Sequence, residues 1–166
     1  MFFCLIVFFH FKVGDKISTK VGIFFASAGI LLNALLLVVM IVDPLKKLHE
    51  GAWIIITNIG IADMLACSSF FAKFYIFVTE AHFMDKDKRK ILMGTTDFFS
   101  MFGMSASFFL LTGLNLQMYA IVKYPIRARL VIYNSKVIGL CLTIWIIASG
   151  IGMRSEERRV GKECRL

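Results

Sequence analysis

The stretch WIIITNIGIADMLACSSFFAKFYIFV, residues 53–78, decides how this chain is read. It is apolar over enough length to cross a bilayer, which takes about 20 residues of helix. Yet Asp63 stands near its middle. A carboxylate at the bilayer centre costs about 2.5–3.5 kcal/mol on insertion scales. An amide would hold helices together at lower cost, so Asp63 is read as a functional position. For Asn33, Asn58 and Ser107 taken singly, the simpler reading is a hydrogen bond between helices.

The rest of the chain has the same character. Of its 166 residues, 58% are hydrophobic and 18% are charged, and the mean hydropathy is +0.78. A soluble domain of this size cannot cover so much apolar surface, so the expected class is an all-α, polytopic membrane helix bundle. The net charge of +8 comes mainly from lysines and arginines between apolar runs and at the tail. That pattern suits helix ends at lipid headgroups rather than a nucleic-acid face. Cys4, Cys67, Cys141 and Cys164 show no CxxC spacing and suggest neither a disulfide framework nor a zinc site. Cys67 and Cys141 are expected to be small packing residues within helices. His10, His49 and His82 are scattered, with no nucleophile or metal spacing around them, so no enzyme is expected.

Four spans are expected, at about 21–42, 53–78, 91–122 and 137–153. The third is long enough to suit a tilted helix. Short connections, DPLKKLHEGA, TEAHFMDKDKRK and KYPIRARLVIYNSK, predict antiparallel neighbours. Residues 1–20 form an N-terminal segment. Its opening MFFCLIVFF is too short to span, and it lacks the basic leader and small-residue cleavage site of a signal peptide. It reads instead as an ordinary hydrophobic segment or as wrongly included upstream sequence. Residues 154–166, RSEERRVGKECRL, change composition abruptly. They suit a charged juxtamembrane tail, but RSEERRVGKEC resembles the in-frame translation of a sequencing-library adapter. On that expectation the tail is set aside from functional reasoning. Counting basic residues does not orient the bundle, because seven fall on one side and six on the other.

Intramembrane polar groups need partners inside the bundle, since lipid offers none. The economical arrangement brings Asn33, Asp63 and Ser107 together at mid-depth. A carboxylate with hydroxyl and amide neighbours resembles half of a small hard-cation site. In the third span Asp97, Ser100, Met104, Ser107, Leu111, Leu114 and Met118 recur at three and four residues and predict one helical stripe.

Asn33, then NIGIADML (58–65), then MYAIVKYPI (118–126), then Trp145 resemble the rhodopsin-like (class A) G-protein-coupled receptors. The intervals are 30 residues from Asn33 to Asp63 and 27 from Met118 to Trp145. The match spans about 18–153, the first four of that family's seven transmembrane helices. The resemblance implies a multi-pass protein of the plasma membrane with an extracellular amino terminus. It implies a receptor that senses an extracellular ligand and signals to a heterotrimeric G protein. Residues 21–153 are then a partial receptor domain, and four helices alone are not expected to bind ligand or signal. No cofactor is expected beyond a sodium ion. The family's ion lies at the position of Asp63 with a serine where Ser107 stands, and a leucine matching Leu111 lines the same pocket. The ion favours the inactive bundle, so its site biases a two-state switch. Asn58 is expected to reach Trp145 as a structural contact. Asp97, Ser100, Met104 and Lys73 fall where a ligand pocket opens, although Lys73 also suits a snorkelling role. Met118, Tyr119, Lys123, Tyr124, Pro125, Ile126 and Arg127 fall on the side that faces the G protein.

The departures are specific. Where the family has Asp or Glu, then Arg, then Tyr, this chain has Gln117, Met118 and Tyr119. Methionine cannot make the arginine's charge-assisted contact. The usual extracellular cysteine heading the third helix falls near Met93. Two alternatives stay open: part of an ion-coupled transporter or channel using Asp63, or a four-helix membrane scaffold. The first would more often show proline-broken helices and repeats, and the second paired cysteines in external loops.

Overall fold

The computed structural model describes residues 16–42, 50–79, 86–124 and 134–163, with side chains described over 19–42, 52–78, 88–124 and 135–154. These residues form four helices: α1 (Lys16–Val42), α2 (Glu50–Thr79), α3 (Lys86–Lys123) and α4 (Asn134–Glu163). All four are long and apolar enough to cross a membrane. A spanning backbone must satisfy its own polar groups, and the helix does so within one segment. Hydroxyls on the helices follow the same rule. Thr57 donates to Trp53 O at 2.9 Å and Thr112 to Phe108 O at 3.0 Å, which leaves no bare donor toward lipid at either position.

Each helix is longer than its apolar run. The polar flanks are rich in Lys, Glu and Arg, which are good helix formers, so hydropathy marks the bilayer limit and not the end of the helix. The largest difference is in α4, whose backbone continues from Arg154 to Glu163, through the adapter-like segment. At the end of α3, Tyr124 N donates to Ala120 O at 2.9 Å. Pro125 follows, and the residue before a proline is disfavoured in the helical region.

Close approaches between helices fix their directions. At α1 and α2, methyl groups placed on Gly22, Gly29 and Gly60 would meet Phe74, Cys67 and Leu37. Trp53 Nε1 donates to Met40 O at 3.1 Å. Rising numbers on α1 therefore meet falling numbers on α2. The same reversal relates α2 to α3, where Lys73 meets Asp97 and Ala62–Ala66 lie against Gly103. It also relates α3 to α4, where Phe98 lies against Gly152 and Phe102 against Trp145. The bundle runs up, down, up, down.

The core has two parts. Ile55, Ala62, Ala106, Leu110, Cys141 and Ile144 close α2, α3 and α4 together. Ala26, Ala66, Cys67, Phe70 and Phe74 close α1 against α2. Alanine is frequent in both, because without a hydrophobic drive between helices association depends on close van der Waals packing. The exposed faces are themselves apolar, including Leu31, Val39 and Ile41 on α1 and Leu142 and Ile146 on α4. They face lipid in a membrane.

Two expectations need correction. First, of the expected α3 stripe Ser100 and Ser107 are buried and Asp97, Met104, Leu111 and Leu114 half-buried, but Met118 is 44% exposed, while Gln117 beside it is buried. Gly103, beside that stripe, lets the α2 backbone in. A methyl there would lie 2.8 Å from Ala62 O and 2.9 Å from Ala66 N. Glycine carries no hydropathy signal, so the periodicity followed the larger side chains beside it. Second, Cys67 is disulfide-bonded, although it also packs in the α1–α2 core as expected. A spacing rule for CxxC motifs does not address such a bond.

Candidate functional site

Asp63 is 4% exposed and sits in the middle of α2. Its neighbours follow from the pairing of the helices. Gly29 packs on Cys67, so one further turn along α1 and one turn back along α2 bring Asn33 level with Asp63. Lys73 pairs with Asp97, and ten residues back on α2 and ten forward on α3 bring Ser107 level with Asp63 too. The three residues occupy one layer of the bundle.

Within that layer the groups differ. The Asn33 amide donates to Gly29 O at 2.9 Å within its own helix, which leaves its oxygen as the group able to accept from, or ligate, a neighbour. Ser107 is 1% exposed, and among the described residues its hydroxyl has no hydrogen-bond partner. A buried hydroxyl without a partner costs about 1–3 kcal/mol, and one beside a carboxylate is suited to complete the oxygen shell of a small cation. Leu111, one turn beyond Ser107, is partly buried and supplies an apolar edge. No group of three or more His, Cys, Asp or Glu that could hold a metal occurs among the described residues. A carboxylate, a hydroxyl and an amide oxygen are hard donors, the ligand type that small hard cations take.

Toward the end of the bundle where α1 begins, Lys73 Nζ donates to Asp97 Oδ1 at 2.6 Å. The two side chains are 24% and 31% exposed. Lys73 thus extends across to α3 and does not simply run out to headgroups. Ser100, one turn deeper than Asp97, is buried, and Met104 below it packs beside Ala66, Cys67 and Phe70.

On the other flank, Trp145 Nε1 donates to Asn58 Oδ1 at 3.1 Å, while the Asn58 amide donates to Ile54 O at 2.8 Å. The indole lies against Phe102 with ring centroids 5.2 Å apart, and Phe102 stacks on Phe98 at 6.0 Å. This aromatic ladder ties α3 to α4.

At the opposite end, Gln117 is buried, and among the described residues neither atom of its amide has a partner. Met118 and Tyr119 are exposed, as are Lys123 and Tyr124. Lys123 Nζ lies 3.0 Å from Tyr119 Oη, 5.3 Å from the Tyr119 ring centre and 5.5 Å from that of Tyr124. These contacts hold the ammonium by cation–π attraction. Pro125, Ile126 and Arg127 lie outside the described residues.

Two residues here escaped sequence reasoning. Gly103 was hidden for the reason given above. Gln117 was noticed only as a departure from a motif, although its place on the three-four repeat of α3 was readable.

The sequence model of the 7 transmembrane receptor (rhodopsin family) matches residues 32–155. No curated protein matches the chain. The matched segment takes in Asn33, Asp63, Ser107 and Trp145, and with four antiparallel spanning helices it settles the class: this multi-pass membrane chain belongs to the rhodopsin family of seven-transmembrane receptors.

Proposed function

We propose that this chain carries the first four helices of a receptor that senses an extracellular ligand and signals to a heterotrimeric G protein. The amino terminus lies outside the plasma membrane. The bundle end holding Lys73 and Asp97 faces the ligand, and the end holding Met118, Tyr119, Lys123 and Tyr124 faces the G protein. The observation that carries the reading is Asp63, 4% exposed inside a membrane helix and level with Asn33 and Ser107. A carboxylate in that setting is maintained for what it binds. Asp63 and Ser107 would hold a sodium ion, with Asn33 and Leu111 at its margin. The ion supplies a positive charge that neutralises Asp63, and so favours whichever arrangement of the helices keeps these oxygens together.

The test is guanine-nucleotide exchange on purified heterotrimers by the full-length receptor in membranes, in sodium chloride or in choline chloride. Sodium should lower basal exchange, and Asp63→Asn should remove the difference. No exchange above receptor-free membranes with any class of G protein overturns the receptor reading. Exchange that ignores sodium overturns the ion alone.

A further inference from the structure

We propose that the last turns of α3 hold the headgroup of an anionic phospholipid, with the Lys123 ammonium as its counter-charge and the Tyr119 and Tyr124 hydroxyls as donors beside it. The inference does not depend on the receptor reading, which only makes the leaflet the cytoplasmic one.

The cluster carries a charge that nothing balances. Lys123 makes no ion pair among the described residues. Its ammonium touches the Tyr119 hydroxyl at 3.0 Å and faces the rings of Tyr119 and Tyr124 at 5.3 and 5.5 Å. Neither ring brings a negative charge. The carbonyl end of α3 brings about half a charge, so this end of the helix stays positive.

The donors are also held in place. A lysine at a helix end is ordinarily a flexible stem with three rotatable donors. Here two rings and a hydroxyl confine it, which lowers the ordering cost of binding. Tyr119 Oη accepts one of its three protons and two stay available. Neither tyrosine hydroxyl donates to a described residue. A phosphate offers acceptors to all of these donors.

The position favours a lipid over a free anion. The apolar span of α3 ends at Lys123, and tyrosines gather at this level because the ring is apolar and the hydroxyl wet. Phe108, Thr112, Leu116, Tyr119 and Lys123 recur at three and four residues, and all are exposed. Phe108 lies about 22 Å of helix from Lys123, more than the half-thickness of a bilayer core at about 15 Å. An acyl chain can therefore follow this face while its phosphate reaches the ammonium. Met118 lies about 140° further round the helix from Lys123, away from that track.

The test titrates the 166-residue chain in detergent with phosphatidic acid or phosphatidylcholine of the same acyl chains, and reads the first bound lipid by native mass spectrometry. Phosphatidic acid should bind about fivefold more tightly, the factor that one lysine contributes near a charged headgroup. Lys123→Gln should remove that preference and Lys123→Arg should keep it. Tyr119→Phe with Tyr124→Phe should weaken phosphatidic acid at least about twofold. Lys136→Gln is the control, because Lys136 is exposed at the start of α4, at the same end of the bundle, and should change little. Equal affinity for the two lipids overturns the inference. So does an equal loss from Lys136→Gln, which would make the attraction one of general charge. Displacement of the lipid by inorganic phosphate also overturns it, since the site would then take the free anion.

Discussion

Trp145 and Asn58 are joined by a single hydrogen bond, Nε1 to Oδ1 at 3.1 Å, that connects α4 to α2 across 87 residues of chain. It lies beside the aromatic ladder of Phe98 and Phe102. Removing either end should destabilise the bundle by about 0.6 kcal/mol, the average for interhelical bonds in lipid, and by no more than about 1.7 kcal/mol. Trp145→Phe keeps most of the ring packing and removes the donor, while Asn58→Leu removes the acceptor. In thermal unfolding of the chain in lipid discs, the double variant should be little worse than the poorer single variant. Strict additivity would mean that the bond contributes nothing beyond packing.

Gly103 and Gly139 should respond oppositely to the same substitution. Gly103→Ala pushes a methyl to 2.8 Å from Ala62 O and 2.9 Å from Ala66 N, both backbone atoms that cannot rotate away. It should cost about 1–3 kcal/mol. Gly139→Ala meets nothing within 4 Å, and should be neutral or stabilising by up to about 1 kcal/mol from helix propensity. Unfolding temperatures in detergent compare the two directly, and equal effects would contradict the close approach of α2 and α3.

Gln117→Leu should raise stability. Both atoms of the Gln117 amide are buried with no partner among the described residues, so an apolar side chain of similar size removes a desolvation cost of about 1–3 kcal/mol. A fall in unfolding temperature would reveal that the amide is bonded in the membrane.

Met118→Arg should strengthen coupling in the full-length receptor. Met118 is 44% exposed at the end of the bundle carrying Lys123 and Tyr124, and a guanidinium there offers donors that a thioether lacks. A single charge-assisted bond of about 1.5 kcal/mol corresponds to about a tenfold gain in exchange at fixed G-protein concentration. An unchanged rate would place the contact elsewhere on this surface.

The sequence by itself determined that there are four spans, that they alternate in direction, and that Asp63 is the position to explain. Membrane physics makes these legible, because an apolar run of sufficient length can only be a helix and short connections can only reverse it. The level of Asn33, Asp63 and Ser107 was also within reach, since antiparallel helices of known spans align residue against residue. What only the tertiary structure decided was rotation about each helix axis. Gly103 packs against Ala62–Ala66, Gln117 and not Met118 is buried on α3, and Lys73 meets Asp97 instead of headgroups. Hydropathy weighs side chains by size and polarity, whereas rotation is set by where the smallest residues let two backbones meet.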